Sequence, residues 1–217
     1  MLYIVATPIG NLKDISLRAL EVLKDVDLIA CEDTRHTKIL LKHYGIQTPT
    51  ACFYQHNRII KAEYLIGLLK QGKDIALVSD AGTPGILDPG HNLIDLAIRN
   101  NIPLTLIPGP AAFVNALVLS GKPSHRFIFA GFLSNHWQAR QNQLKKLASL
   151  EETIVFYESC HRILDTLSSL KEVFGDKEIA VARELTKKFE EVRRGKTSEI
   201  IAHFQKEKPR GEFVVII

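Results

Sequence analysis

The chain has 217 residues, of which 46% are apolar and 24% are charged, as expected of a folded globular protein with one large domain or two small ones. This composition excludes disordered and collagen-like chains. No apolar run reaches the roughly 20 uninterrupted residues that a membrane span needs. The first residues lack the basic start of a signal peptide. A cytoplasmic location without a membrane partner is therefore expected.

The formal net charge of +4 permits an anionic partner but does not require one, and the basic residues concentrate after residue 145. The three cysteines, Cys31, Cys52 and Cys160, are an odd number at wide spacing and contain no Cys-x-x-Cys pair. We therefore predict buried free thiols, with neither a disulfide framework nor a metal site.

The first 120 residues alternate short β-rich runs with helical periods. Strands are predicted over 2–6, 27–31, 50–54, 74–78 and 104–107. Helices are predicted over 17–23, 34–43, about 60–71, 90–99 and 111–119. Such alternation is typical of a mostly parallel sheet flanked by helices.

A turn-forming cluster at 120–124 interrupts this pattern and predicts a domain boundary. Beyond it, strands are predicted over 127–131, 153–157, 177–184, 189–194 and 212–217. Helices are predicted over 137–150, 161–173 and 197–204. The chain is thus expected to form two α/β domains, 1–120 and 121–217, each within the usual domain size.

Three loops that combine glycine with proline follow predicted strands, at 6–11, 79–90 and 108–112. Ligands of open parallel sheets bind beyond the carboxyl ends of the strands, so these loops are expected to meet at one edge. Each could be no more than a tight turn, but three at the same edge favour a ligand site.

The middle loop, SDAGTPGILDPG at 79–90, argues against a phosphate ligand. None of the loops has the pattern of a dinucleotide or P-loop site. Asp80 and Asp88 would repel phosphate, and no Lys or Arg lies between Ser79 and Gly90. A neutral or cationic small molecule fits better. A sulfonium cofactor is one such ligand, although these residues alone do not separate it from other nucleoside-like molecules.

Longer motifs along the chain resemble one family. They are LYIVATPIGNL at 2–12, CEDTR at 31–35, SDAGTP at 79–84 with DPG at 88–90, FAGFL at 129–133, FYES at 156–159, and RELTK at 183–187 with Glu190 and Glu191. Together they resemble the bacterial 16S ribosomal RNA cytidine 2′-O-methyltransferases of the tetrapyrrole-methylase fold superfamily. The resemblance runs from Leu2 to Phe213. Many members of that family continue beyond the position of Ile217.

The resemblance implies two α/β domains of the tetrapyrrole-methylase type, with S-adenosyl-L-methionine in a cleft between them and S-adenosyl-L-homocysteine as product. It implies a homodimer acting on the small ribosomal subunit or its 16S rRNA, without DNA as partner. Matched by motif, the cofactor-binding residues would be Pro8, Ile9, Gly10, Asp80, Ala81, Gly82, Thr83, Pro84, Ala111, Ala112, Tyr157 and Glu158.

Methyl transfer to a ribose hydroxyl also needs a group that removes the proton, or a cation that favours its loss. Candidates lie in the charged motifs at 32–35 and 183–187, and are Glu32, Arg35, Arg183 and Lys187. A desolvated Lys187 could act as base, and either arginine could hold an RNA phosphate. The competing interpretation is an ordinary ion pair, for example between Arg183 and Glu184.

Two rival functions remain open at this point. One keeps the fold but changes the substrate to a tetrapyrrole or another small molecule, which the basic second half disfavours. The other is an RNA-binding module without catalysis. It is disfavoured because a surface that tracks an RNA backbone does not need three Gly/Pro loops at one sheet edge.

Overall fold

A computed structural model describes residues 1–53, 58–206 and 209–217. The chain divides into two compact units, Met1–Ala111 and Ala112–Ile217. No helix in the described part of the chain is both long and apolar enough to cross a membrane.

The first unit is a five-stranded sheet in which every strand pairing is parallel, in the order β3-β2-β4-β1-β5. The strands are β1 (Leu2–Val5), β2 (Leu28–Cys31), β3 (Thr50–Cys52), β4 (Ile75–Val78) and β5 (Leu104–Ile107). The helices are α1 (Leu17–Asp25), α2 (Thr34–His43), α3 (Arg58–Lys70) and α4 (Gly90–Arg99). All nine elements were predicted, and the end of the predicted strand 50–54, at Tyr54, lies outside the described residues.

Helices cover both faces of this sheet, since each helix has an apolar side. Leu23 of α1 and Leu40 of α2 belong to one buried cluster, and Leu65 of α3 and Leu93 of α4 belong to another. The central strand β4 is therefore buried along its whole length.

The second unit is a mixed sheet of five strands in the order β6-β7-β10-β8-β9. Its strands are β6 (Phe127–Phe132), β7 (Thr153–Ser159), β8 (Glu178–Arg183), β9 (Glu191–Lys196) and β10 (Glu212–Ile216). Its helices are α5 (Ala112–Ser120), α6 (Trp137–Ala148), α7 (Ile163–Phe174) and α8 (Thr197–Lys206). Because β10 is antiparallel to both β7 and β8, and β6 is parallel to β7, strands β6, β7 and β8 all end at the same edge.

The division between the units differs from the predicted one. The sequence placed it after Ser120, whereas α5 groups with the second unit. The reason is packing: α5 lies against β7, β8, β9 and β10. The turn cluster that follows α5 connects two elements of the second unit, so it marks a loop within that unit.

Candidate functional site

The three Gly/Pro loops of the first unit meet at the carboxyl edge of its sheet, which confirms the prediction. Thr7 and Gly82 exchange backbone hydrogen bonds of 2.8 and 3.0 Å. The hydroxyl of Thr7 also donates to the carbonyl of Ser79 at 3.0 Å. The hydroxyl of Thr83 donates to the carbonyl of Pro110 at 3.5 Å. The sequence did not predict that Thr7 and Ser79 join the loops. The only indication in the sequence is that each is a hydroxyl residue directly after a predicted buried strand.

Two glycines in these loops are required, one by its backbone conformation and one by a close contact. Gly82 has φ +81°, and a Cβ there would lie 3.5 Å from Ile9 Cγ2 and 3.6 Å from the Pro110 carbonyl oxygen. A Cβ on Gly109 would lie only 2.9 Å from the Cβ of Ala6, closer than two carbons can pack. Gly82 is thus required by its backbone conformation, since an added Cβ would make only ordinary contacts, whereas Gly109 is required by the close approach of Ala6.

Asp88 folds its own loop. Its carboxylate accepts hydrogen bonds of 3.0 Å from the Gly85 N–H and 2.7 Å from the Gly90 N–H, where α4 begins. Burial raises the pKa of Asp88 above its usual value, although these hydrogen bonds oppose the shift. The role of Asp88 in the structure is thus to shape the loop.

Asp80 belongs to a group of acidic side chains at the ends of β2 and β4. Its Oδ1 accepts a hydrogen bond of 3.2 Å from the Asp33 N–H. Desolvation, followed by the negative charges of Asp80, Asp88 and Asp33, raises the pKa of the nearby Glu32 carboxyl. Burial is the main cause of the shift, and the neighbouring carboxylates add a negative local field, which disfavours phosphate and favours a cation.

Arg35 is held by a carboxylate in its own helix start. Asp33 caps α2, since its carboxylate accepts a hydrogen bond of 2.8 Å from the Arg35 N–H. The Arg35 guanidinium donates to the same carboxylate, with Nη2 2.7 Å from Oδ2. Hydrogen bonds from the Arg35 side chain and backbone lower the pKa of Asp33 to about 2. The Arg35 side chain is 90% exposed, so binding an RNA phosphate would mean competing with Asp33.

The remaining predicted cofactor residues of the first unit are carried by the same loops. Ala81 and Gly10 are exposed, Pro8 and Ile9 are half-buried, and Pro84 is buried. Ala111 ends the first unit, whereas Ala112 begins α5 of the second.

Tyr157 and Glu158 are neighbours on β7 and therefore point to opposite faces of the second sheet. The Tyr157 ring packs against Phe129 and Phe132, with ring centroids 5.1 and 5.6 Å away. Burial raises the pKa of the Tyr157 hydroxyl above its usual value.

Both carboxylate oxygens of Glu158 are engaged within the second unit. Oε1 lies 2.7 Å from Arg162 Nη2 and accepts the Ser159 N–H at 2.7 Å, and Oε2 accepts the Thr166 hydroxyl at 2.6 Å. The carboxylate is fully buried, so these partners replace its lost hydration. Because its carboxylate is occupied, only the backbone of Glu158 is available for the predicted cofactor contact.

The ion pairs of Arg183 and Lys187 differ from the pair that the sequence suggested. Arg183 Nε donates to Glu191 Oε2 at 2.5 Å, and its guanidinium carbon lies 5.8 Å from the centroid of the Phe204 ring. Lys187 Nζ donates to Glu184 Oε1 at 2.9 Å. Both cations are paired, so neither is the free, desolvated group that a lysine base requires.

Glu191 is contacted by two arginines and one histidine. Besides Arg183, Arg193 Nε donates to Oε1 at 2.6 Å, and His203 Nε2 lies 2.9 Å from the same oxygen without a hydrogen bond of acceptable geometry. Desolvation opposes ionisation, but hydrogen bonds from Arg193 and Arg183 lower the pKa of Glu191 below its usual value. The motif at 183–191 thus forms a connected charge network.

Cys31 and Cys52 lie opposite each other on β2 and β3, and Cys160 lies in the second unit. Within residues 1–53, 58–206 and 209–217, no three His, Cys, Asp or Glu side chains are grouped so that they could hold a metal ion. Cys31 is buried, and desolvation raises the pKa of its thiol to about 11. Cys52 and Cys160 are only half-buried, contrary to the prediction.

Comparison with known proteins gives one consistent family. The profile of the Tetrapyrrole (Corrin/Porphyrin) Methylases matches residues 1–201. Ribosomal RNA small subunit methyltransferase I of Thermotoga maritima is 47% identical over 216 residues, or 100% of this chain and 97% of that protein. The protein of the same name from Synechocystis sp. is 49% identical over 218 residues, 100% of this chain and 78% of its own length.

Solved structures share the fold. Uroporphyrin-III-C-methyltransferase from Thermus thermophilus has a TM-score of 0.67 at 20% identity, covering 99% of this chain and 93% of that one. Diphthine synthase has a TM-score of 0.76 at 17% identity, covering 99% and 89%. At such identities the likeness establishes the fold alone.

Proposed function

Because the chain belongs to the tetrapyrrole methylase family and, within it, to the ribosomal RNA small subunit methyltransferase I proteins, we propose that it methylates the 2′-hydroxyl of a cytidine in 16S rRNA. The observation that carries the proposal is 47% identity across the full chain. The tetrapyrrole alternative has weaker support, since the solved uroporphyrin enzyme is only 20% identical.

The loop edge of the first unit supports S-adenosyl-L-methionine as methyl donor. Its glycines bring backbone groups within reach of a ligand, and the neighbouring carboxylates of Glu32, Asp33 and Asp80 favour a sulfonium cation. When bound, this molecule supplies an electrophilic methyl group, and S-adenosyl-L-homocysteine is the product. The proposed contacts in the first unit are Pro8, Ile9, Gly10, Asp80, Ala81, Gly82, Thr83, Pro84 and Ala111.

In the second unit, Ala112, Tyr157 and the backbone of Glu158 stay predicted cofactor contacts.

Rigid positioning of the cofactor and the ribose can lower the barrier to methyl transfer by roughly 7–11 kcal/mol. The hydrogen bonds that join Thr7 to Ser79 and Gly82, and Thr83 to Pro110, support such rigidity in the first unit.

Among the four predicted catalytic residues, we propose Glu32 as the group that accepts the ribose proton. In the part of the chain that the structure describes, no hydrogen bond or ion pair occupies its carboxylate, and its raised pKa makes it a stronger base. Lys187, by contrast, donates to Glu184. Arg35 and Arg183 keep the proposed role of binding RNA phosphates.

The homodimer and the cytoplasmic location are proposals as well. The exposed apolar side chains Val114, Val118 and Leu119 on α5 support an assembly, since such a patch is usually covered. Analytical ultracentrifugation tests the dimer, and a monomer at micromolar concentration contradicts it.

The activity is tested by offering the protein methyl-labelled S-adenosyl-L-methionine together with one of four acceptors. These are undermethylated small ribosomal subunits, naked 16S rRNA, naked 23S rRNA as control, and a tetrapyrrole. We expect label on a cytidine ribose of the small subunit or its RNA. Label on the tetrapyrrole alone, or cofactor binding without transfer to any RNA, contradicts the proposal.

A further inference from the structure

Phe189 lies at the tip of the loop between β8 and β9, and 68% of its side chain is exposed. The ammonium of Lys188 lies 5.6 Å from the centroid of its ring. A large aromatic side chain in water gains nothing for the fold, because burial of such rings is what stabilises proteins. Single exposed apolar side chains are common on protein surfaces, so exposure alone identifies no partner; here the ring and the adjacent ammonium present a flat apolar face and a positive charge together.

The loop that carries Phe189 is held in a fixed conformation. Glu184 and Thr186 have positive φ angles of 49° and 65°, which cost energy in residues other than glycine and persist only where surrounding contacts impose them. The contacts are present: the Lys187 N–H donates to the Glu184 carbonyl at 3.0 Å, and the Thr186 N–H to the Glu190 carboxylate at 2.5 Å. Phe189 is thus presented on a built turn.

The charges around Phe189 leave the surface positive. Among its acidic neighbours, Glu184 is paired with Lys187 and Glu191 with two arginines, whereas Glu190, in the part of the chain that the structure describes, accepts only the Thr186 N–H and keeps its charge. Over residues 183–196, six Lys and Arg side chains still outnumber three Glu side chains. Within the described ranges no carboxylate forms an ion pair with Lys188, or with the exposed cations Arg194 and Lys196 of the edge strand β9. Arg194 donates to the carbonyl of Leu119, a neutral acceptor, so its charge is not cancelled.

We propose that the loop tip and β9 form the RNA contact surface of the protein, with Phe189 stacking on an unpaired base and Lys188 and the cations of β9 contacting the phosphates. Aromatic side chains interleaved with cations are what single-stranded RNA requires, since every base offers a face for stacking and every nucleotide a negative charge. The inference rests on the proposed function in taking RNA as the substrate class.

The test is the affinity of the full chain for a fluorescein-labelled single-stranded RNA of mixed sequence, measured by fluorescence anisotropy at fixed salt. Phe189→Ala is expected to weaken binding about 10-fold, the range of a lost base stack. Phe189→Trp should retain affinity within about 2-fold, whereas Phe189→Leu should behave like Phe189→Ala because it is apolar but cannot stack. Lys188→Gln should reduce the slope of log affinity against log salt concentration by about one, which corresponds to the loss of one phosphate contact.

Tyr64 provides a matched control. It is an exposed aromatic residue on α3 with Lys61 Nζ 5.4 Å from its ring centroid, but it lies in the first unit and outside the proposed surface. Tyr64→Ala should leave RNA affinity unchanged. Equal affinity of Phe189→Ala and the wild type, or full affinity in Phe189→Leu, overturns the inference. So does a change of oligomeric state in Phe189→Ala, which would mark the tip as a contact between two copies of the chain.

Failure of this inference and failure of the proposed activity are distinguishable. If the wild type methylates the small subunit and Phe189→Ala binds and methylates RNA equally well, only the contact surface is wrong. If the wild type methylates no RNA but Phe189→Ala still loses RNA affinity, the contact surface stands and the activity is wrong. Where both hold, Phe189→Ala raises KM for the subunit more than it lowers kcat.

Discussion

Gly82 is the residue on which the proposed cofactor loop depends most directly. Gly82→Val should abolish binding of S-adenosyl-L-methionine, because a β-branched side chain at φ +81° is strained and its methyl groups would extend toward Ile9 or Pro110. Gly72→Val is the control, with φ +85° but no atom within 4 Å of the added Cβ. Both variants should lose about 1–3 kcal/mol of stability. Calorimetry showing intact cofactor affinity in Gly82→Val, or loss in both variants, contradicts the assignment.

Glu32 is tested through both rate and pH dependence. Glu32→Gln should lower kcat by about 10²- to 10⁴-fold if the carboxylate accepts the ribose proton. Its raised pKa also means that the folded wild type binds more protons than the unfolded chain, so this residue lowers stability as pH rises from about 4.3 through the raised value.

Glu32→Gln should therefore gain stability relative to the wild type across that pH interval, which denaturation in urea at a series of pH values measures. Glu21→Gln, an exposed glutamate on α1, should change neither property. An unchanged kcat in Glu32→Gln assigns the base elsewhere.

The loop between β8 and β9 is an element whose conformation depends on a distant residue. The backbone of Gly211, with φ +85°, lies against the Glu184 side chain, and an added Cβ would be 2.7 Å from Glu184 Cγ. Gly211→Ala should displace Glu184, release Lys187 and cost about 2–4 kcal/mol through crowding and strain. It should also weaken RNA binding, because the turn that presents Phe189 is disturbed.

Gly175→Ala separates the cost of backbone strain from the cost of crowding against a neighbouring side chain. Gly175 has φ +74° with nothing within 4 Å of the added Cβ, so only the backbone strain of about 1–2 kcal/mol is expected there. Urea denaturation compares the two variants. Equal losses would mean that the Glu184 contact contributes nothing to stability.

At the scale of the whole molecule, the two units have separate apolar cores, and the proposed cofactor loops lie mainly in the first. S-adenosyl-L-methionine at about 100 times its Kd should stabilise the protein by about 2.7 kcal/mol, or roughly 5–10 °C in the unfolding transition that includes the first unit. Differential scanning calorimetry measures the shift. Gly82→Val should show none, and a shift of equal size in that variant would place the ligand elsewhere.

Much of the architecture is predictable because it is encoded over short distances. Alternating strand and helix periods depend on residues a few positions apart, so every strand and α-helix in the described residues was located, with α2, α4 and β5 at their predicted bounds. The short 3₁₀ helix Leu12–Asp14 was not predicted. The meeting of the loops after β1, β4 and β5 also follows from local signals, since the ends of parallel strands share an edge. The Asp33 cap of α2 is local in the same sense.

Side-chain partners on different elements were not predictable, whether they are a few residues apart, as Glu158 and Arg162 are, or far apart, as Glu184 and Gly211 are. The sequence alone determined two α/β units, the three Gly/Pro loops and the family motifs. Only the tertiary structure decided that Glu158 is bound by Arg162 and Thr166, that Arg183 pairs with Glu191, and that Gly211 lies beneath Glu184. It also decided that β10 lies between β7 and β8, and that α5 belongs to the second unit. The physical reason is that side-chain pairing depends on where the folded chain returns, which no local pattern encodes.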